Sequence, residues 1–155
     1  MKDRYDCVVA LRSPAHVTLV PPFWMSENLE HSLKDAISQF SRHQVSLEIN
    51  LKNFAAFKPR VIYVDVGPTP QLQTLHDQLH EYLIASDVFP IKTEERPFHP
   101  HVTVATRDLH KKAFNEAWEI FKKENYKASC RINGISLLKH NQKNWDVLFT
   151  SQFPN

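Results

Sequence analysis

The feature that most limits how this chain can fold is a short alternation of polar and apolar residues that occurs twice. His101-Val102-Thr103-Val104 repeats the pattern of His16-Val17-Thr18-Leu19, far earlier in the chain. The apolar and β-branched residues of both copies favour extended backbone. On a strand, alternate side chains share a face, and residues two apart stand about 6.5 to 7 Å from each other. Each copy therefore presents an imidazole beside a hydroxyl, His16 with Thr18 and His101 with Thr103. Val17, Leu19, Val102 and Val104 point the opposite way and can anchor the segment in a core. One H-x-T-x tetrapeptide means little. Two copies with the same second residue imply a duplicated unit about a pseudo-twofold axis, which would gather two His and two Thr around one small site.

The rest of the chain reads as elements that carry these two segments. Tyr5–Leu11 is expected to form a first strand, broken at Ser13-Pro14, with His16–Val20 as the first motif strand. Pro21-Pro22 ends it, since neither residue can donate a ladder hydrogen bond. Ser26 can cap a helix whose stripe is Leu29, Leu33, Ile37 and Phe40. Val45, Leu47, Ile49 and Leu51 alternate as a strand, and Val61–Val66, apolar on both faces except at Asp65, should be a central strand. Thr69-Pro70 predicts a helix start, with Leu72, Leu75, Leu79 and Leu83 carrying the stripe to about Ser86. Asp87–Pro100 is expected to be irregular. Asp108 can cap a helix that buries Ala113, Phe114, Ala117 and Phe121. Cys130–Lys139 reads as a strand whose apolar parity changes at Asn133-Gly134, where a bulge or tight turn is expected. Trp145, Val147 and Phe149 form a last alternating strand. The order after each motif is the same: helix, strand, strand. The expectation is an α+β fold of two similar lobes, a pseudo-twofold duplicated unit with two antiparallel sheets facing a central groove and helices outside. Residues 1–155 would form one domain.

Composition narrows the function. Hydrophobic residues are 42 % of the 155, enough for a core. A net charge of +2 is too small for a general nucleic-acid coat, though a local basic groove is compatible with it. The only glycines are Gly67 and Gly134, which excludes glycine-rich phosphate loops and the dinucleotide fingerprint. Phosphate would have to be held by side chains and by strand or helix-end amides. Cys7 and Cys130 lie in apolar runs and read as reduced core thiols of a cytoplasmic protein. The charged Met1–Asp6 segment and the short Cys7–Leu11 run give neither a signal peptide nor a membrane span. No obligate protein partner is evident, and a monomer is expected.

The paired motifs suit acid–base chemistry. Imidazole titrates near neutral pH, so one His can take a proton while the other gives one. In-line attack of water on a phosphodiester needs both, and a Thr beside each His can donate to the non-bridging oxygens as charge builds. No metal or other cofactor is required. His16, His101, Thr18 and Thr103 are the candidate catalytic residues.

With these residues in view, the chain resembles a known family. Ala15-His16-Val17-Thr18-Leu19-Val20-Pro21-Pro22-Phe23 and Phe98-His99-Pro100-His101-Val102-Thr103-Val104-Ala105 are similar to the paired signatures of the two-histidine (2H) phosphoesterases, the 2′-5′ RNA ligase-like proteins and cyclic phosphodiesterases. The resemblance covers nearly the whole chain. It implies a bilobal α+β fold and metal-independent cleavage of 2′,3′-cyclic phosphates or 2′-5′ bonds in RNA or nucleotides. It also implies that His16 and His101 form the acid–base pair while Thr18 and Thr103 hold the phosphate. In that family a helix usually separates the first strand from the first motif; here only Arg12–Ala15 do, which shortens that rim. Family analogy favours His101 as base and His16 as acid.

Other residues are weaker candidates. Phe23, Trp24 and Phe98 could stack a nucleobase at the groove mouth or simply pack. Tyr63 shares a strand face with Val61 and Asp65 and could look into the groove. Lys58 and Arg60 precede the central strand, where solvated loop charge is the simpler expectation. His99 and His101 form an H-x-H pair, but Pro100 and the lack of nearby acidic ligands argue against a metal. His76 and His80, four apart on a helix, are expected on its polar surface. The main alternative to catalysis is a non-catalytic module that binds a nucleotide or RNA end; a metal-dependent phosphohydrolase is a third reading.

Overall fold

The computed structural model describes residues 1–154. The chain opens with one helical turn, α1 (Lys2–Tyr5), and a 3-10 turn over Val9–Arg12, in place of the strand expected over Tyr5–Leu11. The cause lies far away in sequence. The Asp108 carboxylate accepts from the Val8 and Val9 amides at 2.6 and 2.8 Å and from the Cys7 thiol at 2.9 Å. Amides that a strand would offer to a ladder are satisfied by a side chain instead. Asp108 consequently does not cap the following helix, which starts at Lys111 behind His110 with no side-chain cap. Burial by itself would raise the Asp108 carboxyl, but the bonds from Cys7, Val9 and Val8 outweigh it and hold the group below its usual range. Burial first, and then the bond to Asp108, push the Cys7 thiol up to about 11. Cys7 is the core thiol expected; Cys130 is exposed, and both are free.

The first motif, His16–Val20, joins no β-ladder, contrary to expectation. Prolines 14, 21 and 22 bracket it and remove the donors that would extend a ladder on either side. Next come a 3-10 turn, Glu27–Leu29, and helix α2 (Glu30–Ser41), which buries Leu33, Ile37 and Phe40. Ser26 stands before the 3-10 turn without a side-chain capping bond. Strand β1 (Leu47–Phe57) starts later and runs further than the Val45–Leu51 alternation suggests, and β2 (Val61–Val66) has the expected span. Helix α3 (Pro70–Ala85) is capped as its sequence predicts, Thr69 Oγ1 accepting from the Leu72 amide at 3.1 Å. After an irregular connection come β3 (His101–Ala105), α4 (Lys111–Phe121), β4 (Lys127–Ile132), β5 (Gly134–His140) and β6 (Trp145–Gln152).

The strands form two antiparallel sheets, one of four strands in the order β3-β2-β1-β4 and one of two, β5-β6. The architecture is α+β, as expected, and β2 is an inner strand. The halves of the chain are interleaved, however. The larger sheet takes β1 and β2 from the first half and β3 and β4 from the second. Likewise α2 packs on β5 and β6, while α4 packs on β2. The parity change at Asn133-Gly134 is where the chain passes from one sheet to the other. Gly134 has no room for more: a Cβ there would stand 2.5 Å from the Ser151 carbonyl oxygen.

Three buried clusters hold these layers. Leu33, Ile37 and Phe40 of α2 meet Leu75, Leu79 and Leu83 of α3, together with Ile135 and Phe153. Cys7, Ile62, Ala105, Leu109, Phe114 and Ala117 fill the space under α4. Ile49, Val66 and Leu72 form the third, smaller cluster. An ion cluster adds a surface tie between α2 and β5, with Lys139 bonded to Glu27 at 3.1 Å and to Glu30 at 2.9 Å. The ammonium groups of Lys34 and Lys139 hold the Glu30 carboxyl down to about 2, from an ordinary 4.5.

Two expectations follow from these ties. Asp108→Ala strands two backbone amides and should lower stability by about 2 kcal/mol at pH 7, read as a shifted urea midpoint with unchanged slope. A loss under about 0.5 kcal/mol would mean that other contacts hold the N-terminal turns. Because the Glu30 pKa is depressed in the fold, its contribution is complete above pH 4.5 and fades as pH falls toward about 2. Glu30→Gln should therefore flatten the acid limb of a stability-against-pH profile in that window; an unchanged limb would show the cluster to be inert.

Candidate functional site

The second motif lies on β3, the edge strand of the larger sheet. Its register sets His101 opposite Asp65 and Thr103 opposite Tyr63 on β2. Residues directly opposite in an antiparallel pair share a face, so these four side chains stand together. Phe57, at the end of β1, completes the group. Its ring centroid lies 4.4 Å from Tyr63, 5.1 Å from His101 and 5.5 Å from His99. Tyr63 is itself 5.0 Å from His101. Its hydroxyl is 3.1 Å from His99 Nε2, and the same nitrogen is 3.4 Å from Asp65 Oδ1. Burial, and then the Asp65 charge, raise the Tyr63 phenol above its ordinary value, so it stays protonated and available as a donor. The back of the strand is apolar: Val102 packs on the Ile49–Val66–Leu72 cluster.

The first motif reaches the same cluster from outside the sheet. Val17 and Leu19 pack against Ile49, Val66 and Leu72, while His16 and Thr18 are exposed. The alternation expected of a strand is thus kept by packing, without a ladder. One local detail is common to both motifs. His16 Nδ1 lies 2.7 Å from the Pro14 carbonyl, and His101 Nδ1 lies 2.8 Å from the His99 carbonyl, each two residues back. A carbonyl oxygen only accepts, so each Nδ1 carries the proton and donates. Both rings are thereby oriented, and in the neutral imidazole Nε2 is the bare nitrogen, free to take a proton.

The other candidates divide by exposure. Trp24 is 93 % exposed and has both ring faces to offer. Phe23 packs against the α2–α3 cluster. Phe98 packs against the third cluster and stacks on His76 at 4.0 Å with the rings 15° apart. Tyr63 is buried but turns its hydroxyl toward His99. Lys58 and Arg60 lie exposed on the turn between β1 and β2. Among the described residues, no group of three or more His, Cys, Asp or Glu is placed to hold a metal ion.

His76 and His80 depart most from expectation. They are buried, not on a polar helix surface, with 8 % and 7 % exposure. The reason is their position on α3 beneath both motifs: His80 Nε2 bonds the Leu19 carbonyl at 2.9 Å, and His76 stacks on Phe98. Sequence reading placed Asp65 on the Tyr63 face without assigning it to the site, and it passed over Phe57 and the surroundings of His99. The parity of Val61–Val66 already puts Asp65 and Tyr63 on one face, and His99 is two residues from His101; the missing piece was the register between β2 and β3.

Comparison with known proteins bears on the family and the fold. The 2′-5′ RNA ligase superfamily matches residues 2–144. A Geobacillus kaustophilus protein named "Putative phosphoesterase" is 33 % identical over 110 residues, 70 % of this chain and 59 % of the relative. A Bacillus licheniformis protein of the same description is 31 % identical over 111 residues, 68 % of this chain and 60 % of that one. The chain thus spans about three fifths of these relatives. An Oceanobacillus iheyensis relative aligns more fully, at 26 % identity over 97 % of this chain and 85 % of its own. Among solved structures, Escherichia coli LigT complexed with 3′-AMP superposes with a TM-score of 0.66 at 19 % identity, covering 91 % of this chain and 78 % of that one. A Thermus thermophilus protein gives 0.65 at 18 % identity, with 90 % and 78 % covered. Among the described residues, no helix is long and apolar enough to cross a membrane. With its two H-x-T motifs seated on one cluster and the superfamily matched from residue 2 to residue 144, the chain belongs to the 2′-5′ RNA ligase superfamily, the two-histidine phosphoesterases.

Proposed function

We propose that this protein is a phosphodiesterase that opens 2′,3′-cyclic phosphates, or cleaves 2′-5′ bonds, at RNA ends or in small nucleotides. The observation that carries the reading is the matched pair of Nδ1–H bonds to backbone carbonyls, which leaves both Nε2 atoms available for proton transfer. On a cyclic phosphate, His101 Nε2 takes a proton from the attacking water as the new P–O bond forms. His16, protonated on Nε2, gives its proton to the departing ribose oxygen as the old P–O bond breaks. One proton enters the enzyme and one leaves, so the next turnover needs only exchange between the two imidazoles through solvent. The Thr18 and Thr103 hydroxyls donate to the non-bridging oxygens, where charge accumulates in the transition state. These proton transfers need no metal ion.

Two further residues suit a nucleotide. Trp24 offers an exposed aromatic face for a base. The Tyr63 hydroxyl, held protonated, is a further donor beside His101 and His99. The bound 3′-AMP of the Escherichia coli neighbour is a nucleoside monophosphate, the kind of molecule that opening a cyclic phosphate yields.

Turnover of nucleoside 2′,3′-cyclic phosphates in EDTA tests the reading directly. Wild-type protein should be active there with a bell-shaped pH profile, since the pair must hold one proton between them. His16→Ala and His101→Ala should each lower kcat by about 100- to 10,000-fold. Thr18→Val and Thr103→Val should each cost about tenfold or more. Full activity in both histidine variants would sink the mechanism. Tight binding of a cyclic nucleotide with no turnover across a panel of cyclic nucleotides, 2′-5′ dinucleotides and cyclic-phosphate-ended RNAs would establish a binding module instead.

A further inference from the structure

Helix α3 carries two buried imidazoles that the proton transfers above do not use. His76 and His80 are one helical turn apart, with ring centroids 4.6 Å from each other. A buried polar ring is costly unless bonded, and each has partners that lead toward a different motif. His80 Nε2 donates to the carbonyl of Leu19, the last residue of the tetrapeptide His16–Leu19. His76 Nδ1 donates to Asp77 Oδ1 at 2.7 Å, and the ring lies flat on Phe98, three residues before His101.

The bond from His80 has no equivalent nearby. Among the described residues, the backbone of 14–25 makes no backbone–backbone hydrogen bond. His16 Nδ1 bonds within the segment itself. The remaining hold on this stretch is apolar contact through Val17, Leu19, Val20, Phe23 and Met25. Such contacts set which face points inward but resist sliding and twisting poorly, because dispersion and hydrophobic attraction are not directional. A hydrogen bond from a helix-mounted ring to the Leu19 carbonyl supplies direction, and it acts on the Leu19–Val20 peptide unit, one residue beyond Thr18.

We propose that His80 is a positioning residue for the first motif. Its Nε2–H grips the Leu19 carbonyl in place of a sheet ladder and so fixes Thr18 and His16 relative to α3. His76, stacked under Phe98 on the same helix, gives α3 a fixed relation to the second motif as well. The kinetic consequence rests on the function proposed above; the structural one does not.

The test compares the unaltered protein with H80L, which keeps bulk and loses the donor, and H80Q, whose amide can still reach the carbonyl. The first readout is the NMR order parameters of the Val17, Thr18 and Leu19 amides. They should be about 0.85 in wild type and H80Q and fall below about 0.6 in H80L, with β1 and β2 unchanged as a control for the fold. The second is turnover of a nucleoside 2′,3′-cyclic phosphate. H80L should lose about tenfold in kcat with little change in KM, and H80Q should recover to within about threefold of wild type. Should H80L fail to fold, H80N, too short to reach the carbonyl, takes its place. Order parameters that stay high in the donor-less variant overturn the proposal, as does loosening without loss of kcat. If wild type turns nothing over, the functional reading fails by itself and the order parameters alone decide the role of His80.

Discussion

Val17 and Val102 pack against the same small cluster, and the geometry of the site descends from that shared seat. Ile49, Val66 and Leu72 are 2 %, 1 % and 2 % exposed, and each comes from a different element: β1, β2 and α3. Burial of an aliphatic side chain is worth about 1.5 to 3 kcal/mol. Slipping either motif by one residue would expose its valine and press a histidine and a threonine toward the cluster, with no partner provided for them. The alternation of each tetrapeptide is therefore a choice of face enforced by solvation. The imidazole and hydroxyl point outward because their neighbours have somewhere apolar to go.

That enforcement explains what was legible in the sequence and what was not. Val61–Val66 and the Thr69-Pro70 start of α3 are written in local chemistry: an apolar run, a capping hydroxyl, a proline at the first helical position. The outward face of His16 and Thr18 was legible too, but the strand was not there. An alternating pattern reports which side is buried, and packing on a cluster buries a side as well as a ladder does. The first strand failed for the complementary reason. Tyr5–Leu11 has strand-like residues, yet the carboxylate that decides its conformation is Asp108, about a hundred positions away. His76 and His80 look like polar helix surface because the leucine stripe already accounts for one face of α3. Only the arrival of Leu19 and Phe98 over the adjoining face makes it an interior.

The interleaving of the two halves has the same origin. The repeat of motif, helix, strand, strand is present in the sequence, and it suggests two lobes, each built from its own half. In the structure α2 and α4 each cover strands of the other half. The chain achieves this by crossing between sheets at Asn133-Gly134. There the Asn133 carbonyl accepts from Phe153 at 2.8 Å, and Gly134 lies against the Ser151 carbonyl. A parity change in an apolar pattern was the visible trace of that crossing. That it marks a change of sheet and not a bulge depends on the pairing of β5 with β6, which no local pattern specifies.

The motifs are alike in sequence and unlike in support. His101 and Thr103 sit on a strand with a ladder beneath them, in register with Asp65 and Tyr63 and flanked by Phe57. His16 and Thr18 sit on a proline-bracketed segment held by apolar contact and by the ring of His80. The acid–base chemistry proposed above requires both imidazoles to hold their places to within a fraction of an ångström. The second motif inherits that precision from the sheet. The first needs a substitute, and a hydrogen bond from a long helix whose leucines belong to two of the three buried clusters is a stiff one. A side that is fixed by few contacts is also the side most easily moved. The segment 14–25 is therefore the side whose place rests on the fewest directional bonds, while the larger sheet keeps His101 and Thr103 in place.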